Sequence, residues 1–508
     1  MSMTPDPTVS VEHPAHTPAR GGVQLITYID RLGGDAQGLK KILGGPLRDV
    51  FDGYHLLPFY TPYDGADAGF DPADHTQVDP RLGTWIDVKD LALGKRLMAD
   101  MIVNHVSYES PAFQDVLAKG AGSEYLDMFL TMTDVFPEGA TEEALAAIYR
   151  PRPGLPFTPM TIAGHKRLMW TTFTPQQLDV NIASDGGRAY LDRVLTTLIS
   201  SGVDLLRLDA VGYAVKTAGT SSFMTPETFE FIDELTARAR SLGAQVLVEI
   251  HSHYQRQIAI ASKVDMVYDF ALPPLLLHSM YTGDAAALRH WLSVRPVNAV
   301  TVLDTHDGIG VVDVGPDQID ADMEGLLTPE QVHDLVEGIH EHSGGQSRQA
   351  TGWAASNVDV YQVNSTYYSA LGCHDSAYLI CRAVQFFTPG IPQVYYVGLL
   401  AGANDMDLLA RTGVGRDINR HYYTPEEIEA QCQRPVVDRL IRLIRFRNAH
   451  PAFNGEFTSD GEGSRVRMRW EHDSAWAELE VDCAATTARI TSSPADGVDD
   501  EWVQWSVQ

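Results

Sequence analysis

The 508-residue sequence predicts an α/β protein. The expected form is a (β/α)8 barrel of the TIM type with inserted subdomains after strands three and seven and a small C-terminal antiparallel β domain. Three observations predict it. Short apolar runs recur with helix-period segments between them. Polar and charged residues gather where those runs stop. Past Pro451 the texture changes to alternation of polar and apolar residues.

The runs, in order, are "VQLITYI" from Val23, "YHLLPFY" from Tyr54, "LMADMIVN" from Leu97 and "VDLLRL" from Val203. "AQVLVEI" from Ala244, "MVYDF" from Met266, "AVTVLDT" from Ala299 and "PQVYYVG" from Pro392 complete the set. Several are almost wholly apolar, as strands covered on both faces are. The segment Thr225 to Gly243 shows the helical pattern between strands, with Thr225 as N-cap, Pro226 in the first turn and Gly243 past the end. A doubly wound open sheet is the competing architecture.

Two gaps, from His105 to Gly202 and from Asp307 to Pro389, are too long for a simple crossover. Both begin at strand C-termini, on the face where barrel enzymes build their sites. The expected division is residues 21–104, 184–308 and 373–450 for the barrel, 105–183 and 309–372 for the insertions, and 451–508 for the β domain. "RVRMRWEHDSAWAELEVDCAATTARITSS" alternates as half-exposed strands do. Residues 1–20, with no apolar core segment, are expected to form a disordered tail and no signal peptide.

A formal net charge of −29 argues against nucleic acid or an anionic membrane as partner, because both require a basic face. An anionic substrate therefore needs a local basic pocket. No apolar run approaches the roughly 18 residues of a membrane span. The four cysteines match neither a zinc site nor a disulfide framework, which suits a reducing cytoplasm.

The strand ends carry the chemistry. Strand three ends in Asn104–His105, strand four in Arg207 and Asp209, strand five in Glu249 and His251, strand seven in His306–Asp307. Asp67 lies in the glycine-rich loop after strand two. Singly, each is an ordinary loop cap, core histidine or salt-bridge partner. Together, three strands deliver a carboxylate to one end. That suits glycosyl transfer, in which one carboxylate attacks the anomeric carbon and a second protonates the leaving oxygen. Arg207 is expected to hold Asp209 ionised, and the apolar neighbours of Glu249 to raise its pKa. Metal-dependent chemistry with the same carboxylates and histidines as ligands is the rival reading.

"DMIVNHVS", "LLRLDAVGY", "VLVEIH" and "VLDTHDG" resemble the four signature segments of glycoside hydrolase family 13, the α-amylase superfamily. "LPFYTPYDGADAGFDPADHTQVDPRLGTW", "IYRPRPGLPFT", "FTPQQLDVN", "YDFALPPLLLH", "YQVNSTYYSALG", "PGIPQVYYVG" and "GRDINRHYY" are similar to the sucrose-phosphorolysing branch of that family. The resemblance runs from Val23 to Asn448 and is weak in the β domain. It implies a retaining double displacement: sucrose and phosphate give α-D-glucose 1-phosphate and D-fructose through a β-glucosyl-enzyme ester.

Carried over by motif, Asp209 is the nucleophile, Glu249 the acid/base and Asp307 the transition-state stabiliser. The glucose contacts are Asp67, Phe70, His105, Phe173, Gln177, Arg207, His306 and Arg416. The acceptor and phosphate contacts are Tyr149, Arg152, Tyr213, His251, Asp359, Tyr361 and Gln362, with Arg152 and His251 as the local positive patch. The resemblance further implies no cofactor, no catalytic metal, small-molecule substrates and a homodimer; with the cysteine usage, the expected location is cytoplasmic. A phosphorylase for sucrose 6'-phosphate or a glucosylglycerol-type acceptor, and a sucrose hydrolase or transglucosidase, are the alternatives. A catalytically dead binding barrel would lose triad carboxylates, and all three are present.

Overall fold

The computed structural model describes residues 21–65, 67–150, 154–317, 322–351, 362–495 and 504–507. Four sequence expectations lie outside those residues: the tail 1–20, Arg152, Asp359 and Tyr361.

All eight apolar runs contain a strand of one closed parallel barrel. These are β1 (Gln24–Thr27), β2 (Gly53–Leu56), β3 (Arg96–Ile102), β4 (Leu205–Asp209), β5 (Gln245–Val248), β6 (Met266–Asp269), β7 (Ala299–Thr301) and β8 (Ile391–Tyr395). Each pairs with its sequence neighbour, and β1 closes the ring on β8 through Gln24 opposite Gln393. The side-chain amides of those two glutamines also meet, at 2.8 Å, inside the barrel. That contact partners the two buried amides with each other.

The strands are shorter than the apolar runs. "YHLLPFY" leaves the barrel after Leu56, and Tyr60–Thr61 pairs instead with Asp74–Val78 in a separate ribbon. "AVTVLDT" stops pairing at Thr301. The remainder of each run is the start of a loop at the barrel's C-terminal mouth, and there the polar residues sit.

Helices cover the outside. The segment Pro226–Ser241 forms as its pattern predicts: Thr225 accepts from the Thr228 N–H, and Gly243 takes φ +92° just past the end. Its buried residues Thr228, Phe231, Ile232, Leu235, Thr236 and Ala239 fall on one stripe at helical spacing.

The first insertion follows β3. Its two ends are zipped together: His105–Ser107 pairs antiparallel with Gln177–Asp179, His105 opposite Asp179. Between them lie the helix Pro111–Lys119 and the hairpin Phe157–Ile162 with His165–Trp170, which shares a small separate core of Leu130, Phe136, Ile148 and Trp170. The second insertion follows β7. It opens with the ribbon Ile309–Gly310 against Gln362–Val363 and carries the helix Pro329–His342, capped reciprocally by Thr328 and Gln331.

At the C-terminus, β9 (Glu456–Asp460), β10 (Arg465–His472), β11 (Ala475–Asp482), β12 (Thr487–Ser492) and β13 (Gln504–Val507) form an antiparallel meander. Alternation aims Val466, Met468 and Trp470 inward, and the Trp470 indole donates to the Phe387 carbonyl of a barrel helix at 2.7 Å. No helix among the described residues is long and apolar enough to cross a membrane.

Candidate active site

One cavity at the C-terminal mouth of the barrel collects most of the sequence-predicted residues. The catalytic candidates Asp209, Glu249 and Asp307 line it. So do Asp67, Phe70, His105, Phe173, His306 and Arg416 of the glucose set, and Tyr149, Tyr213, His251 and Gln362 of the acceptor set. Gln177 and Arg207 stand just behind the walls. The Gln177 amide lies 3.1 Å from the His105 ring nitrogen, and Arg207 is almost wholly buried beneath the carboxylates.

Arg207 is the hub. Its Nη1 donates to Asp209 Oδ1 at 2.8 Å and to Asp100 Oδ1 at 2.5 Å, while its Nη2 lies 3.4 Å from Glu249 Oε1. The period-two geometry of β4 makes this arrangement, because residues 207 and 209 face the same way. Asp100 comes from the neighbouring β3, in register with Arg207. It is completely buried, accepts from His55 at 2.9 Å, and was missed by the sequence reading. The signal was present: a lone aspartate inside the apolar run "LMADMIVN" needs a buried partner.

This sharing corrects the expectation that Arg207 simply keeps Asp209 ionised. Burial pushes the Asp209 carboxyl well above the usual range. Arg207 pulls it down, but the neighbouring charges of Glu249 and Asp100 push it back up. One guanidinium thus faces three carboxylates. Asp307 differs. Burial would raise it, but Arg416 at 2.9 Å, Arg420 and Arg207 hold it well below the ordinary carboxylate range. Asp307 is therefore the fixed negative charge of the site.

The backbone after β4 is also shaped. Ala210 adopts φ +53°, sparsely populated for a residue with a β-carbon, and its N–H points at Glu249 Oε2 at 3.4 Å. The next turn, Val211–Tyr213, is tied to the first insertion through Lys216. That buried ammonium contacts Asp179 at 2.7 Å, Asn104 at 2.8 Å and the Tyr213 carbonyl.

Rings close the remaining sides. Phe70 stacks on His306 with centroids 4.5 Å apart, and Phe173 meets His105 and Tyr213 edge-on. His306 is pushed down to about 3 by burial and is neutral. Tyr149 and Tyr213 both pack against Phe223, at 4.7 and 4.6 Å. Phe223 was not foreseen. It sits in a loop between two residues of positive φ, Ser222 and Met224, and "TSSFMT" carries no periodic signal that would point it inward. Among the described residues, no group of three or more His, Cys, Asp or Glu side chains is placed to hold a metal ion.

Residues 33–398 match the model of the α-amylase catalytic domain. The chain belongs to the α-amylase family. Within that family it is 57% identical over 460 residues to a sucrose phosphorylase of Bifidobacterium adolescentis, covering 90% of this chain and 91% of the relative. It is also 57% identical to a sucrose phosphorylase of Agrobacterium vitis, covering 93% and 97%. Among solved α-amylase-family structures, sucrose 6F-phosphate phosphorylase from Thermoanaerobacter thermosaccharolyticum superimposes with a TM-score of 0.86 at 38% identity, over 96% of this chain and 97% of that one.

Proposed function

We propose that this chain catalyses the reversible phosphorolysis of sucrose by a retaining double displacement. One observation carries the reading: a single guanidinium, Arg207, contacts both Asp209 and Glu249 at the bottom of a cavity that Asp307 and Arg416 face. In the first step Asp209 attacks the anomeric carbon while Glu249 delivers its proton to the glycosidic oxygen, and fructose leaves. The product is a β-glucosyl ester on Asp209. In the second step a phosphate oxygen attacks the same carbon, Glu249 recovers a proton from the incoming phosphate, and α-D-glucose 1-phosphate forms with Asp209 released.

Double displacement needs one ionised and one protonated carboxyl over Arg207. Asp307, held ionised, suits hydrogen bonds to sugar hydroxyls that strengthen as positive charge develops on the ring. His251 is pushed up to about 9: burial opposes its charge, but Asp313, Glu249 and Asp307 outweigh burial, leaving a cation at the acceptor end. Arg152 is the second cation of the reading.

The test is to incubate the protein with sucrose, with and without phosphate, and quantify glucose 1-phosphate against free glucose. Glucose 1-phosphate should dominate in saturating phosphate; free glucose dominating there overturns the reading. Sucrose 6'-phosphate is run alongside as the rival donor, and a chelator arm separates the rival of metal-dependent chemistry. The homodimer belongs to the same proposal, and light scattering on the eluting protein checks it.

A further inference from the structure

The acceptor end of the cavity holds a histidine fixed from behind. His251 follows β5, and its ring lies flat on Phe270, centroids 3.9 Å apart and planes 14° from parallel. Its Nδ1 meets Asp313 Oδ2 at 3.0 Å. Asp313, from the second insertion, is completely buried. Its other oxygen accepts from the Ser252 backbone N–H at 3.1 Å and from the Gln257 amide at 2.6 Å. Gly310 covers the pair: a β-carbon there would stand 2.8 Å from Asp313 Oδ2 and 3.4 Å from the His251 ring. Two donors therefore lock the carboxylate in place and leave Oδ2 for the imidazole.

We propose that Asp313 is a positioning residue for the acceptor step: it turns His251 so that Nε2 faces the cavity and keeps the ring a cation, so that an anionic acceptor is held in preference to water. The inference rests on the reading of the chain as a phosphate-using glucosyl transferase. A carboxylate on one imidazole nitrogen fixes ring orientation and favours the charged ring, as in other carboxylate–histidine pairs.

The groups facing His251 decide which carboxylate does this. On its own segment, Glu249 Oε1 lies 3.8 Å from Nε2. From the second insertion come Asp313 and the neutral Gln362 amide, 3.5 Å from Nε2. Asp307, from the loop after β7, adds negative field, and Phe270, after β6, is apolar. Tyr149 and Asp317 lie across a small adjoining cavity, Asp317 already paired with Arg256 at 2.5 Å. Glu249 changes protonation in each turnover, and Asp307 faces the sugar. Asp313 does not line the main cavity, so its proposed role acts through the imidazole alone.

Asp313→Asn tests this in the intact protein with sucrose and inorganic phosphate, reading the ratio of glucose 1-phosphate to glucose from pH 5.5 to 9. A raised His251 pKa means the cation persists to high pH, so the parent ratio should hold through neutrality and fall only near pH 9. In Asp313→Asn the fall should move to the ordinary imidazole range, leaving the ratio about tenfold below the parent at pH 8. The ionisation of phosphate itself is common to both proteins and cancels in the comparison. An unshifted profile, or equal loss of both products at every pH, overturns the proposal. His251→Gln supplies a second check: its ratio should be low and independent of pH, and adding Asp313→Asn should lower it no further. A further loss overturns the role through His251. If the parent makes no glucose 1-phosphate, the functional reading falls and this inference with it. If the parent makes it and the variant profile is unshifted, only the role of Asp313 falls.

Discussion

The two ends of the cavity are built differently. At the end proposed to hold glucose, charges interlock: Arg207 faces three carboxylates, and Arg416 pairs with Asp307. Asp100, Arg207, Asp209 and Glu249 sit on or immediately beyond barrel strands, and Asp307 follows β7 in the mouth loop. At the end proposed to hold the acceptor the walls are rings on loops, Tyr149 from the first insertion, Tyr213 and Phe223 from the segment after β4, with His251 backed by the second insertion. The difference separates two tasks. Bond cleavage needs charges fixed to a fraction of an ångström, which strands supply. Choosing among acceptors needs a surface that can vary without disturbing that chemistry, which loops supply.

Substitutions at the two ends should therefore fail in different ways. The largest effect is expected from Asp209→Asn, which should abolish phosphorolysis and hydrolysis together by about 10⁴-fold or more in kcat. Substantial residual turnover in either assay would mean that the nucleophile is another group. Glu249→Gln should cost about 10³-fold with sucrose but much less with a glucosyl donor whose leaving group needs no proton. Equal losses on both donors would break the assignment of Glu249 as acid. Arg152→Ala, at a position proposed to meet phosphate, should lower glucose 1-phosphate output about tenfold while glucose release persists. A proportional fall in both products would make Arg152 structural. The smallest effect is expected from Phe223→Ala, roughly threefold to tenfold in KM for fructose or phosphate with kcat for sucrose hydrolysis nearly kept. A collapse in kcat there would erase the distinction between the two ends.

The same boundary divides what could be read from the sequence. The barrel was legible because parallel strands covered on both faces are nearly continuous apolar runs, and each run from Val23 to the one at Pro392 carried a strand. The gathering of Asp209, Glu249 and Asp307 in one cavity was legible because strand ends impose position: a carboxylate just past the C-terminal end of an apolar run stands at the mouth. Asp100 escaped because its importance lies in a partner 107 residues away, visible only when β3 and β4 lie in register. The pull of Arg207 on Asp209 was overrated for the same reason, since the competing carboxylates come from other strands. Phe223 and Asp313 escaped because irregular loops carry no period from which a side chain's direction follows.

The zipped root of the first insertion has a practical consequence. His105–Ser107 and Gln177–Asp179 are hydrogen-bonded to each other, and the Val180 N–H continues the ladder onto the Asn104 carbonyl at 2.8 Å. The whole excursion thus enters and leaves the barrel through one doorway. It behaves as a cassette whose splice points lie within reach of each other. Exchanging the stretch inside that doorway, from 108 to 176, with the matching stretch of a relative should transplant acceptor preference while the barrel's carboxylates keep their places.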